Sequence, residues 1–200
     1  RLSQGRPDLF KKEFQTVLRV IVWLALPVAT IAFFTRGYLV NFIVNGGNTL
    51  ISGLFGALCV AILFRSVYHI ASRSFYAQQD TKTPLYISLV SVGLNIILAI
   101  LLSMTFGFGA HGIAWAASIV SVVEVIILFT VMSRRIRGLF DAVLVHAILR
   151  MMSATGFMAI ISYLLVLAMP LHGGEQSFFS TFPQFVLISG ASLAMYMGIC

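Results

Sequence analysis

The sequence predicts an all-α fold, a polytopic membrane helix bundle of about six transmembrane helices, and three observations carry that expectation. Of the 200 residues 60% are hydrophobic and only 10% charged, with a mean hydropathy of +1.00, whereas soluble domains carry charge on roughly a quarter of their residues. The apolar residues collect into six long runs separated by turn material. Twelve of the 13 Lys and Arg residues fall on one side of a six-span threading, the asymmetry expected of cytoplasmic loops. A soluble core is excluded, and a net charge of +7 on so apolar a chain sets topology. No nucleic-acid partner is expected.

The elements follow in order. Residues 1–19 read as a cytoplasmic interfacial helix. Pro7-Asp8 opens it, Asp8 is placed to cap, Phe10, Phe14, Val17, Leu18 and Ile21 recur at helical spacing, and Lys11, Lys12 and Gln15 face away. Residues 20–140 hold four spans, with uncharged stretches at Val20–Thr35, Asn48–Phe64, Pro84–Thr105 and Gly112–Val123, the last continuing past Glu124 to Ser133. The first two extend past Arg36 and Arg65, whose stems are long enough to snorkel. Pro27 removes a backbone hydrogen bond inside the first span and is a hinge candidate. Residues 141–200 hold two more spans, Met151–Met169 and Pro183–Cys200. Such runs are helices, because hydrocarbon leaves backbone groups no external partner and the runs lack the alternation of barrel strands. Gly53 and Ala57, and Gly112, Ala116 and Ala117, permit close helix approach. The chain opens without a methionine and stops within an apolar run, so it reads as a piece of a longer protein.

Charges then fix the side. Arg1, Arg6, Lys11, Lys12 and Arg19 precede the first span; Arg65, Arg73 and Lys82 surround the second connection; Arg134, Arg135, Arg137 and Arg150 surround the fourth. Only Arg36 lies on the other side, where phospholipid headgroups are its simplest partners. The chain therefore enters from the cytoplasm.

Four groups of residues are candidates for function. Arg65, His69 and Arg73 recur every four residues and share one face of a helix, which serves either topology or contact with headgroup phosphates. Glu124 is the one acid well inside a span, and intramembrane carboxylates are expensive enough to be functional candidates. Three roles are open to it: ion coupling, a structural bond with Arg65 or His69, and solvation in a cavity. Asn95 is placed for an interhelical hydrogen bond. The string Phe75-Tyr76-Ala77-Gln78-Gln79-Asp80-Thr81-Lys82-Thr83-Pro84 reads as a cytoplasmic hairpin, with Asp80, Thr81 and Thr83 able to bond free amides and Pro84 suited to a helix's first turn. Cys59 and Cys200 lie apart in apolar runs and read as fillers; His111, His146 and His172 stand away from any acid or Cys cluster, so no metal site is expected. No nucleophile-elbow, zincin, Walker or dinucleotide string occurs, so no enzyme and no cofactor is expected.

The Phe75-Tyr76-Ala77 and Asp80-Thr81-Lys82-Thr83-Pro84 string resembles the signature loop of the MurJ/MviN family, lipid II flippases of the multidrug/oligosaccharidyl-lipid/polysaccharide exporter superfamily. Leu2-Ser3-Gln4 with Asp8-Leu9-Phe10, Leu26-Pro27, Gly93-Leu94-Asn95 and the stretch Gly109 to Ala116 are similar to neighbouring family segments. The resemblance covers residues 1 to about 140 well. It implies that the spans are helices nine to fourteen of a fourteen-helix flippase of the bacterial inner membrane. It also implies alternating access by two lobes, of which the amino-terminal one and its main anion site are missing. Lipid II, an undecaprenyl-diphosphate-linked muropeptide, is the implied partner, with membrane lipids around it. His69 stands where relatives often carry Lys. Coupling to membrane potential or a monovalent cation is implied as well; Asn95 matches one sodium-holding position of some relatives, while Ala99 takes the place of the acid one turn on. Two alternatives remain open: an exporter of another polyprenyl-linked oligosaccharide, and a non-transporting scaffold for cell-wall synthesis.

Overall fold

A computed structural model describes residues 7–44, 48–136, 139, 141–169 and 178–199. The expected cap at Asp8, the cations Arg1, Arg6 and Arg137, His172 and Cys200 fall outside the described side chains. Of the described residues 91% are helical, and they include no strand. Seven helices follow in order: α1 Pro7–Phe34, α2 Arg36–Ile43, α3 Thr49–Ala77, α4 Lys82–Ile100 running into a π-turn at Leu101–Thr105, α5 Ala110–Arg135, α6 Ala142–Ala168 and α7 Phe178–Ile199. Six stretches are long and apolar enough to cross a membrane, Lys11–Phe34, Thr49–Ala77, Lys82–Thr105, Ala110–Arg135, Ala142–Ala168 and Thr181–Ile199. The expected span number stands.

Boundaries differ in instructive ways. The stretch expected as a separate interfacial helix runs unbroken into the first span as α1. Its apolar side packs inward, with Phe14 and Leu18 buried beside Leu139 and Leu144. The Gln15 amide donates to the Leu139 carbonyl at 2.7 Å and Lys11 pairs with Asp141 at 2.6 Å, while Lys12, Thr16 and Val17 stay exposed. The second span continues to Ala77, which leaves Arg65 inside the helix and not at its end. The fifth begins at Ala142 and takes in His146 and Arg150.

The connection after α1 contains α2, which buries Tyr38, Val40 and Asn41. The Tyr38 hydroxyl donates to the Met169 carbonyl, and the Asn41 amide donates to the Thr181 hydroxyl at 3.3 Å. These two bonds dock α2 against the end of α6 and the start of α7. Asn48 caps α3 by accepting from the Leu50 and Ile51 amides at 2.9 and 3.3 Å.

Packing makes α5 the central element. Half of its span is buried, against 6% of the α4 span. It lies on α3 and α4, while α1 bridges α3 and α6, and α7 covers α6. Ser118 of α5 donates to the Ala57 carbonyl of α3 at 2.6 Å, a bond that requires the small residues expected at this crossing. At Gly112 the approach is closer still: a Cβ there would lie 2.7 Å from backbone atoms of Leu102 and Ser103 in the π-turn. The return from that turn passes through Gly107 and Gly109, both at positive φ, where glycine is unstrained.

α1 continues through the buried Pro27. Proline has no N–H, so the Trp23 carbonyl four residues earlier loses its helical donor. Tyr196 of α7, itself wholly buried, supplies one: its hydroxyl donates to the Trp23 carbonyl at 3.1 Å. In an apolar medium such an orphan must find a substitute.

Candidate functional site

The hairpin between α3 and α4 is built by one carboxylate. Asp80 Oδ1 accepts from the Lys82 and Thr83 amides at 3.1 and 3.0 Å, and Oδ2 accepts from the Thr83 hydroxyl at 2.6 Å. Two orphan donors of the α4 N-terminus are thereby satisfied. Thr81 precedes the helix without a side-chain capping bond, Gln79 takes a positive φ of 61°, and Pro84 is buried in the first turn of α4. Arg135 at the end of α5 closes the arrangement. Its guanidinium meets Asp80 Oδ2 at 2.5 Å and the Thr83 hydroxyl at 2.9 Å, and lies 5.4 Å from the centre of the buried Phe75 ring. The hydrogen bonds from the Thr83 hydroxyl and amide, and then from Arg135, hold the Asp80 carboxyl at about 2, well below its ordinary value. Tyr76 and Lys82 remain exposed.

Deeper in the bundle, α3, α4 and α5 enclose a cavity of about 480 Å³. Arg65, Tyr68 and His69 line it from α3, Ser88, Ser91 and Asn95 from α4, and Glu124 from α5. Glu124 is 6% exposed, while Arg65 and His69 are open and Asn95 is half-buried. Ser91 is buried and lines the same cavity as Glu124, and Arg65 shares that lining with them. Tyr68 stacks edge-on to His69 at 6.0 Å and its hydroxyl donates to the Pro84 carbonyl at 3.3 Å. Arg65 lies twelve residues, roughly 18 Å, from the α3 terminus at Ala77. The polar groups therefore sit at membrane depth, where cations and carboxylates are rare unless they face a cavity or each other. Several donors, one guanidinium and one imidazole surround a single buried carboxylate, a set able to hold an anion beside Arg65 or a proton on Glu124.

Four candidates from separate stretches of sequence, Arg65, His69, Asn95 and Glu124, meet here. Arg73 does not; it stays exposed on α3 outside the cavity lining. Arg36 rests on protein: it donates to the Phe33 carbonyl at 3.3 Å, lies 4.7 Å from the Phe33 ring centre, and packs against Gly56. His111 fits against Gly53. Among the described residues no cluster of His, Cys, Asp or Glu is placed to hold a metal. Sequence reasoning missed Tyr68 and Arg135 as site residues. It also missed Ser88 and Ser91, whose spacing with Asn95 at three and four residues was the available signal.

Six apolar spans, three of them around a polar cavity at bilayer depth, define a polytopic membrane protein. The family described as lipid II flippase MurJ matches residues 2–183. The chain belongs to that family, and it is a multi-pass protein of the bacterial inner membrane. It is similar to the probable lipid II flippase MurJ of Borreliella burgdorferi, 23% identical over 127 residues that make up 59% of this chain and 24% of the relative. It is also similar to the probable lipid II flippase MurJ of Thermotoga maritima, 33% identical over 82 residues, 41% of this chain and 16% of the relative. The matched stretch is thus less than a quarter of either relative.

Proposed function

We propose that this chain is the carboxy-terminal part of a lipid II flippase that works by alternating access, completed by an amino-terminal lobe from the same longer polypeptide. The observation that carries the reading is the α3–α4–α5 cavity, which places Arg65 and His69 about midway down helices otherwise apolar. A diphosphate crossing a bilayer needs its charge balanced at that depth, and a guanidinium offers charge with paired donors. Ser88, Ser91 and Asn95 add neutral hydrogen-bonding groups, and a volume of about 480 Å³ falls within the range of small-molecule sites. In this reading the polyprenyl tail stays in lipid, the headgroup passes through the cavity, and membrane potential or a monovalent cation drives the cycle. Pro27 serves as a hinge in α1, and the Asp80–Pro84 hairpin stays cytoplasmic.

The test is flipping of defined lipid-linked substrates by the full-length protein in proteoliposomes. Lipid II is expected to be translocated, and Arg65→Ala is expected to slow it at least tenfold, the loss of about one charge-assisted hydrogen bond of 1.5–3 kcal/mol. Translocation of another polyprenyl-linked oligosaccharide but not lipid II rejects the substrate. Failure to move either, by protein that folds and still supports cell-wall assembly, favours a scaffold.

A further inference from the structure

Glu124 is the feature that headgroup binding leaves unused. It is a carboxylate 6% exposed, in a cavity that it shares with the buried Ser91 and with two exposed bases, Arg65 and His69. An ionised carboxylate so placed is costly without a balancing charge. Among the residues that line the cavity, Arg65 is the guanidinium, a group that stays protonated in proteins. The groups facing it are few. From α3 come Arg65, Tyr68 and His69; α4 offers Ser88, Ser91 and Asn95, none of which titrates in water; the π-turn Leu101–Thr105 carries no titratable side chain; and α5 adds no other lining acid or base. Arg65 is exposed whereas Glu124 is not. An incoming anion therefore reaches the guanidinium without first reaching the carboxylate.

We propose that Glu124 is a proton acceptor released by ligand: an anionic headgroup takes over the Arg65 guanidinium, and the carboxylate, deprived of its balancing charge, takes up one proton from cavity water. The proton is bound on a Glu124 oxygen, leaves hydroxide to the bulk buffer, and is given back when the anion departs. Headgroup and proton are then bound together and released together. This rests on the reading of the cavity as the headgroup site. It adds to that reading a proton stoichiometry, and it makes Arg65 the shared partner of two competing anions.

Linkage fixes the sign. If binding takes up a proton, affinity is greatest at low pH and declines as pH rises through the range in which the unliganded carboxylate ionises, by up to about tenfold per pH unit. His69 is the other base in the lining, and its own variant separates it from Glu124. Lipid II is the suitable probe, because its diphosphate is substituted at both ends and lacks the ionisation near pH ~6 of a phosphate monoester.

The experiment is calorimetric binding of lipid II to the full-length protein in nanodiscs, in paired buffers of different ionisation enthalpy, from pH 5.5 to 8.5. Uptake approaching one proton per lipid II is expected for the wild type and for Glu124→Asp, which keeps a carboxylate. Glu124→Gln is expected to bind without uptake, with an affinity nearly independent of pH and above that of the wild type at high pH. His69→Gln is expected to keep the uptake. Binding with no uptake by the wild type overturns the proposal while leaving the headgroup reading intact, as does uptake that survives in Glu124→Gln or vanishes in His69→Gln. If Glu124→Gln does not fold, loss of uptake in Glu124→Asp overturns it equally. Absence of any lipid II binding by folded wild type overturns the headgroup reading together with this one.

Discussion

The contact between Tyr196 and the Trp23 carbonyl offers a quantitative test of how the bundle is held. Pro27 deprives that carbonyl of its helical donor, and the hydroxyl of the wholly buried Tyr196 replaces it at 3.1 Å. Tyr196→Phe preserves the ring packing against Trp23, 6.2 Å between centroids, and removes only the donor. A net hydrogen bond is worth about 0.5–1.5 kcal/mol, and stranding a buried acceptor raises the loss to roughly 1–3 kcal/mol. Interhelical bonds in membranes average only about 0.6 kcal/mol, because alternative partners are usually close. Proline removes the nearest alternative here, so about 1–2 kcal/mol is expected. Pro27→Ala restores an amide donor to Trp23, and in that background Tyr196→Phe should cost no more than about 0.5 kcal/mol. A coupling of roughly 1 kcal/mol between residues 169 positions apart is the signature. Reversible unfolding of the full-length protein in mixed detergent micelles, as wild type, two single variants and the double variant, measures it. Equal costs of Tyr196→Phe in both backgrounds would refute the idea that proline sets the strength of this contact.

Three further outcomes are expected. Asp80→Ala should destabilise the α3–α4 hairpin by about 0.5–2 kcal/mol through loss of the cap, seen as faster amide exchange over 78–84. Because the folded carboxyl is held at about 2 and an unfolded one lies near ~3.9, the Asp80 contribution should be fully present above about pH 5 and lost as pH falls toward 2, a trend absent in the variant. Gly112→Ala should cost about 1–3 kcal/mol, since its Cβ would lie 2.7 Å from backbone in the π-turn; Gly93→Ala, with nothing within 4 Å, should be neutral or stabilising by up to about 1 kcal/mol, both read from melting in detergent. A cysteine at Gln79 should resist an impermeant maleimide on intact cells and react in inverted vesicles; the native Cys59 is buried and should stay silent. Labelling from outside would reverse the threading.

How far these features could be read from residues alone follows from what makes each of them. The spans were legible because hydrocarbon imposes length and apolarity on any helix that crosses it, whatever the helix packs against. The division at residue 19 was less so: Phe14 and Leu18 show the same periodicity whether they face lipid or Leu139, and only packing separates the cases. α2 is too short to announce itself, and the π-turn arises from the close approach at Gly112, a tertiary fact. Within the site, Glu124 and Arg65 stood out because charge in a membrane is costly wherever it occurs. Arg135 carried the same mark and was absorbed into the topology count. Nothing along the chain links it to a carboxylate 55 residues earlier.

The distribution of polar ties separates the molecule into two groups of helices. α3, α4 and α5 are joined by Ser118 to Ala57, by Tyr68 to Pro84 and by Arg135 to Asp80 and Thr83. These contacts run from the α3–α5 crossing to the α3–α4 hairpin, so the cavity is framed by helices fixed to one another along their length. α6 and α7 are joined by Ser162 to Ser192 at 2.8 Å and reach the rest through α1 and α2, by Tyr196 to Trp23, Asn41 to Thr181 and Tyr38 to Met169. α1 is the common wall, and its interior proline, Pro27, lies where the second group is fastened to it. Loss of the Asp80–Arg135 contact would loosen the cavity frame. Arg135 ties the α3–α4 hairpin to the end of α5, and only a guanidinium meets a carboxylate, a hydroxyl and an aromatic face from that single position.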